Sequence, residues 1–320
     1  MSVIVQKIIL RNQQHFGRRL PLHHLGLLLA ELPGAIRAAV SMAFRHRSQV
    51  RGPRPAWLDR AADVRFVDHE GDGETVLVFE APRLGDAAAE VYAQQSLFPD
   101  ADDRPAQDDT AIDLLGDVLN DIAARDQDSV HYDPSLLVRI AHFHRVFRQK
   151  SPFDEVEFIS RRFPSEAPAR LNAALVKSAE LLLGGTPAPQ RIRLVGQLDA
   201  LVASTQRFSV RLDTGETVMG VFAEDQADIL RSLWRQRVLV LGTAVYRASG
   251  RLLRIDAEAV RDGRAEPAVF SRLPKPPGTK IDMAKLRQRQ GPKTGLNAII
   301  GKWPGDETEE EITKLLQELS

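Results

Sequence analysis

The sequence predicts an α+β protein, and three observations along its 320 residues carry that prediction. Apolar residues recur at helical spacing through much of positions 1–183, interrupted by short β-rich runs. Beyond the linker Gly184-Gly-Thr-Pro-Ala-Pro the period changes to two, through five strand-like runs and one short helix at 190–262. A basic, proline-containing strap at 263–294 then leads to a compact amphipathic segment at 295–320.

In the first region Leu20–Arg47 is helical in pattern. Pro33-Gly34 is expected to divide it in two, because proline lacks the helical N–H and clashes with the preceding turn. Val64–Val67 and Thr75–Phe79 read as a hairpin joined through Glu70-Gly-Asp-Gly. Asp86–Gln94 reads as a helix and 98–110 as an exposed acidic loop. Ile112, Leu115, Val118, Leu119 and Ile122 mark an amphipathic helix. Pro134–Gln149 marks another, presenting Leu137, Ile140, Phe143 and Phe147. Val156–Ile159 reads as a strand and Ala167–Leu183 as a helix.

Composition narrows the function classes. Lys+Arg and Asp+Glu are equal at 43 each, so net charge selects no partner, and the absence of cysteine removes disulfides and thiolate chemistry. The N-terminus becomes charged too soon for a signal peptide. The apolar run Leu25–Ala30 is far short of the ~20 residues a membrane span needs. A cytoplasmic protein without membrane attachment is expected. Charge is nevertheless segregated: residues 1–60 are basic apart from Glu31 and Asp59, residues 61–135 are strongly acidic, and the strap is basic again. Opposite blocks can attract one another or steer a partner.

The second region carries Arg191–Val202, Phe208–Leu212, Thr217–Phe222, a helix at Asp225–Trp234, Arg237–Tyr246 and Leu252–Ala257. The order β-β-β-α-β-β over 190–262 resembles the OB-fold, a small five-stranded barrel. That resemblance implies binding of single-stranded nucleic acid through basic grooves and stacking aromatics. Arg193, Arg207, Arg211 and Arg237 are the candidate nucleic-acid residues. Aromatics are sparse, and Phe208 and Trp234 are expected in the core, which leaves a non-binding adapter barrel as the alternative.

No catalytic residue, metal site or cofactor is indicated. His142 and His144 stand at i and i+2 on a helix and diverge, as do His23 and His24. The aspartates 100, 102, 103, 108 and 109 lack the glycine and terminal glutamate of a calcium loop. No phosphate-binding glycine loop or nucleophile elbow occurs. Carboxylates distant in sequence can still meet in space, so an enzyme assembled in the N-terminal domain is a third reading.

The tail is the most informative stretch. Thr308 and Glu311 have capping-box spacing, and Glu309–Glu311 suit the positive end of a helix dipole. Ile312, Leu315, Leu316 and Leu319 form one apolar stripe, with Ile299, Ile300 and Trp303 as a second cluster upstream of Pro304-Gly305. Gly301-Lys-Trp-Pro-Gly-Asp-Glu-Thr-Glu-Glu-Glu-Ile resembles the C-terminal tails of short bacterial antitoxins, which cover a toxin, often a PIN-type ribonuclease. The resemblance spans about twenty-five residues at the end of a much longer chain. It implies a non-enzymatic, antitoxin-like regulatory protein whose tail docks on a protein partner. Packing of the same helix on this chain's own body is the competing reading.

Overall fold

The computed structural model describes residues 2–12, 16–17, 19–49, 54–71, 74–93, 104–148 and 151–276. Met1–Pro277 forms one compact unit and Gly278–Ser320 another. The tail segment 295–320 and most of the strap lie outside the described residues.

The chain is α+β. It runs β1 (Val3–Arg11), α1 (Leu22–Arg45), α2 (Ala56–Ala61), β2 (Arg65–Glu70), β3 (Thr75–Pro82), α3 (Leu84–Ala87) and α4 (Ala89–Tyr92). Then follow α5 (Ala111–Ala124), α6 (Pro134–His142), β4 (Glu155–Ile159), β5 (Ala169–Asn172) and α7 (Ala173–Gly185). The remainder is β6 (Gln190–Val202), β7 (Arg207–Arg211), β8 (Thr217–Val221), α8 (Ala227–Ser232), β9 (Arg237–Tyr246) and β10 (Leu252–Asp262).

β1, which the sequence pattern left unassigned, sits at the centre of an antiparallel sheet of order β2-β3-β1-β4-β5. Its alternation sends Gln6, Ile8 and Leu10 into the core beside Leu77, Phe79, Val156 and Phe158. The other face carries ion pairs such as Lys7–Glu70 and Arg11–Glu157, as an antiparallel sheet with one solvated face requires. Gln6 Nε2 donates to Thr110 Oγ1 at 2.6 Å, tying the central strand to the capping box of α5.

α1 corrects the expected break. It continues through Pro33 for 24 residues. An interior proline costs ~3 kcal/mol, but Leu28 and Leu32 are buried before it and Ile36, Val40, Met42 and Phe44 after it. Each such side chain contributes roughly 1.5–3 kcal/mol gross, so burial outweighs the lost bond. By length and composition α1 could cross a membrane, which the run Leu25–Ala30 alone could not; 56% of its most apolar window is buried within this unit. Three other boundaries move. The Asp86–Gln94 helix is two single turns, the helix from Pro134 gives way at Phe143–Arg145 to a 3-10 turn, and residues 169–172 are strand rather than helix.

The second sheet is a closed cycle, β10-β8-β7-β6-β9, with β10 and β8 parallel and the other pairs antiparallel. Leu194, Leu198, Phe208, Val210, Leu230, Val238, Val240 and Ile255 fill it. Trp234, expected in this core, is 42% exposed, because α8 ends at Ser232 and inserts Leu230 instead.

Gly116 tests the packing of α5. Alanine there should favour the helix by about 0.5–1 kcal/mol, yet a Cβ would lie 2.1 Å from a Phe163 ring carbon. Gly116→Ala should therefore be net destabilising, by about 1–3 kcal/mol in urea denaturation.

Candidate functional site

The functional geometry concentrates where the barrel meets the helices. α1 ends in a left-handed cap at His46 (φ 52°). Its terminal carbonyls lack intrahelical partners and carry the negative end of the helix dipole. Guanidinium groups from the barrel supply those partners: Arg207 Nη1 donates to Phe44 O at 3.4 Å and Arg254 Nη1 to His46 O at 2.8 Å. Arg45, at the end of α1, reaches back to Gln206. Burial, with the charge of neighbouring Arg47, lowers the Arg45 pKa to about 10.

Asp133 is the hub. Pro134 stands at the first turn of α6, which places Asp133 at the N-cap, where its carboxylate accepts from Leu136 N at 3.0 Å. The same carboxylate accepts from Ser48 N at 3.1 Å and Ser48 Oγ at 2.5 Å, and pairs with Arg254 Nη2 at 3.1 Å. The two side chains of that pair are 1% and 5% exposed. Arg254 Nε also donates to Asp256 at 2.7 Å, and Arg47 lies 3.6 Å from Asp256.

The loop between β9 and β10 is engaged as well. Ser249 N donates to Gln127 O at 3.0 Å, Ser249 Oγ and Arg251 bond Asp128, and Arg247 donates to the Asp128 carbonyl. Val245 and Leu253 join the N-terminal core. Consequently Arg207, Phe208, Ser209 and Val210 are all buried, as are Leu253 through Asp256. These strands are covered on the inside by the barrel core and on the outside by the N-terminal region.

The candidate nucleic-acid arginines divide accordingly. Arg207 is turned into this junction. Arg211 and Arg237 flank Gln197 on neighbouring strands. Arg211 pairs with Asp199 at 3.2 Å. Arg237 forms a two-pronged bond to Asp213 at 2.7 and 2.9 Å, which holds that carboxyl below its usual range. Arg193 pairs with Glu266 at 3.1 Å and lies over the Phe270 ring. Phe208, Phe222 and Tyr246 are buried, so they provide no stacking surface. The candidate partner-binding residues Ile299, Ile300, Trp303, Ile312, Leu315, Leu316 and Leu319 fall outside the described residues.

A second polar cluster runs along α5. Asp109, expected in a solvated acidic loop, is 3% exposed and receives Arg161 and Arg162 at 3.3 and 3.4 Å. Asp113 completes the capping box and accepts from Ser160 Oγ at 2.6 Å. Arg162 grips Asp117 at 2.7 Å, while burial pushes the Asp117 carboxyl up. Asp121 accepts from Ser129 Oγ at 2.6 Å and bonds His131 Nδ1 at 2.7 Å. Burial opposes Asp121 ionisation, but those bonds outweigh it and lower its pKa; the bond to Asp121 raises that of His131. Serine and histidine both address the carboxylate, so this is not the relay of a nucleophilic triad, in which the serine bonds the histidine. The four-residue spacing of Asp113, Asp117 and Asp121 is legible in the sequence as one helix face, with Asp109 just before the N-cap Thr110; the arginines and His131 that meet these carboxylates are not.

No family model, curated protein or solved structure matches the chain.

Removing one partner of a buried pair leaves an uncompensated charge, typically a loss of about 3–5 kcal/mol. Arg254→Leu should therefore lose that much stability in urea denaturation, and Arg254→Leu combined with Asp133→Asn should lose less than the sum of the two single variants. The His131–Asp121 pair sets a pH dependence. The raised His131 pKa makes its contribution complete below its ordinary value of 6.5 and lost as pH rises through the higher folded value. The lowered Asp121 pKa makes its contribution complete above 3.8 and lost on acidification through the folded value. Wild-type stability should fall between pH 6 and pH 8.5 relative to His131→Gln, by about 1 kcal/mol or less for so exposed a pair, as read from melting at each pH.

Proposed function

We propose that this chain is a non-enzymatic, partner-binding regulatory protein whose barrel serves as an internal adapter and whose segment 295–320 docks on another protein. The observation that carries the reading is the covered outer face of β7 and of the Leu253–Asp256 stretch of β10. An OB-type assignment of the barrel is supported by the strand cycle, by the parallel pairing of third and fifth strands, and by the helix between third and fourth. OB barrels take oligonucleotides on the face of strands two and three and through the loops joining strands one–two and four–five. Here the outward residues Arg207 and Ser209 of strand two are buried. The loop at 203–206 faces Arg54, Pro55 and Trp57 across a cleft, and the loop at 247–251 is bonded to residues 127–128. With strand two covered and the 247–251 loop bonded by the chain itself, this reading places binding in the tail.

A helix of about a dozen residues is marginal alone in water. Its stripe and the Ile299, Ile300 and Trp303 cluster must be buried together to repay their ordering. The tail's resemblance to antitoxin tails makes a small toxin, such as a PIN-type ribonuclease, the expected partner in a cytoplasmic setting, with no cofactor involved.

The test compares binding with melting, using the full chain co-expressed with the product of the adjacent gene. Trp303→Ala and Leu316→Ala should each weaken the complex by roughly 2–4 kcal/mol, and Thr308→Ala by about 1 kcal/mol. None should change the melting temperature of the free protein. A drop of several degrees in Leu316→Ala would assign the helix to this protein's own fold. Binding of a single-stranded oligonucleotide at low salt that weakens in Arg211→Ala and Arg237→Ala would move the function to the barrel.

A further inference from the structure

We propose that the N-terminal region contains a binding site for a small phosphate oxyanion, formed by Arg37 and the floor of α1 together with Arg54 and Arg139. A cavity of ≈ 260 Å³ opens there, lined by α1 (Gly34, Arg37, Ala38, Ser41), by Ser48, Gln49 and Arg54, and by Arg139 of α6. Positions 34, 37, 38 and 41 recur at i, i+3, i+4, i+7 and so share one helix face. Three of the four are small, which leaves a hollow where a larger side chain would fill the space between α1 and α6.

Charge points to the ligand class. Among the described residues, three guanidinium groups line the cavity and no carboxylate does. The acid that approaches them is Asp59, 3.5 Å from Arg37 and 3.8 Å from Arg54. One carboxylate cannot balance three cations. Arg139 forms no ion pair or hydrogen bond with a described residue, and among the described residues Arg37 Nε meets only that Asp59 oxygen, at a distance too long for a well-formed hydrogen bond. Asp133, which bonds the lining residue Ser48, is committed to Ser48 and Arg254, and Glu31, one turn before Gly34 on α1, pairs with Arg145. Like charges gathered without compensation are unfavourable, and an oxyanion relieves them. Guanidinium forks match phosphate oxygens in pairs, which lysine cannot do.

Size and lining choose among phosphates. The cavity is smaller than the roughly 300–1,000 Å³ of sites for drug-sized ligands. Among the described residues its lining includes no aromatic or large aliphatic side chain on which a base could stack. The site therefore suits inorganic phosphate, diphosphate or the phosphoryl head of a small phosphomonoester.

Gly34 provides a separate handle. Glycine inside a helix is destabilising relative to alanine, and a Cβ at position 34 would lie 2.7 Å from Arg139 Nη1. The missing side chain lets the guanidinium of α6 lie against α1. Because the colliding atom ends a flexible side chain, alanine displaces Arg139 without disturbing the backbone.

The experiment titrates the full chain with sodium phosphate and sodium pyrophosphate at low ionic strength, by calorimetry and by thermal shift. Saturable binding and a concentration-dependent rise in melting temperature are expected. Arg139→Gln and Arg37→Gln should each weaken binding about tenfold or more, as loss of a charge-assisted contact does. Gly34→Ala should weaken binding several-fold while melting at or above the parent's temperature in phosphate-free buffer. No saturable signal with either anion, or equal binding by Arg139→Gln, overturns the proposal. So does tighter binding of a single-stranded oligonucleotide through the same arginines, which would make the ligand a nucleic-acid backbone. Arg139 is exposed, so its variant keeps the test valid even where Arg37→Gln fails to fold.

Discussion

The Asp133 carboxylate receives donors from three parts of the chain: the first turn of α6, the segment leaving α1 at Ser48, and Arg254 in the last barrel strand. A buried ion pair adds little net stability, because desolvation of both charges consumes most of the attraction. Its effect is geometric. With four donors on two oxygens the carboxylate has few alternative arrangements, so the barrel can meet α1 and α6 in only one register. The cavity between α1 and α6 inherits its shape from that constraint, since Ser48 lines it and is also bonded to Asp133.

The same junction explains why the barrel looks unlike a free-standing ligand-binding module. Most of β7 and the Leu253–Asp256 stretch of β10 are buried on both faces, and the cations there cap the carbonyls that end α1. Arginine in a barrel of this order suggests a nucleic-acid groove when read from sequence. In the folded chain Arg207 and Arg254 are internal struts, and Arg193, Arg211 and Arg237 are each matched by a carboxylate or stacked on a ring. Elsewhere, Arg37 and Arg54 share the single carboxylate of Asp59, and Arg139 beside them has no ion pair among the described residues. Charge segregation along the chain follows a similar course. Part of the acidic block is met by arginines from a distant loop, as Asp109 and Asp117 are by Arg161 and Arg162, rather than by the basic N-terminus.

The elements with strong periodicity were legible in the sequence. The stripe Ile112, Leu115, Val118, Leu119 and Ile122 gives α5, and alternation gives β6 and β9 at close to their observed limits. Local rules failed where distant packing overrode them. Pro33 is tolerated because the helix is buried on both sides of it. Residues 169–172 are strand because β4 offers them hydrogen-bonding partners. The β-branched run of β1 is a local strand signal, whereas its central place in the sheet comes from pairing with residues 75–82 and 155–159 far along the chain.

What the sequence determined by itself, then, is the class α+β and the helices and strands whose side chains repeat at one period. These depend on interactions within a few residues, which spacing records. The tertiary structure decided the partners: that Asp133 meets Arg254, that Asp121 meets His131, that Arg207 faces inward, and that Arg37 and Arg139 share a cavity. Each of those pairings joins side chains brought together by sheet register and helix packing. A charge in a linear sequence shows neither its burial nor its counterion until the fold has placed both.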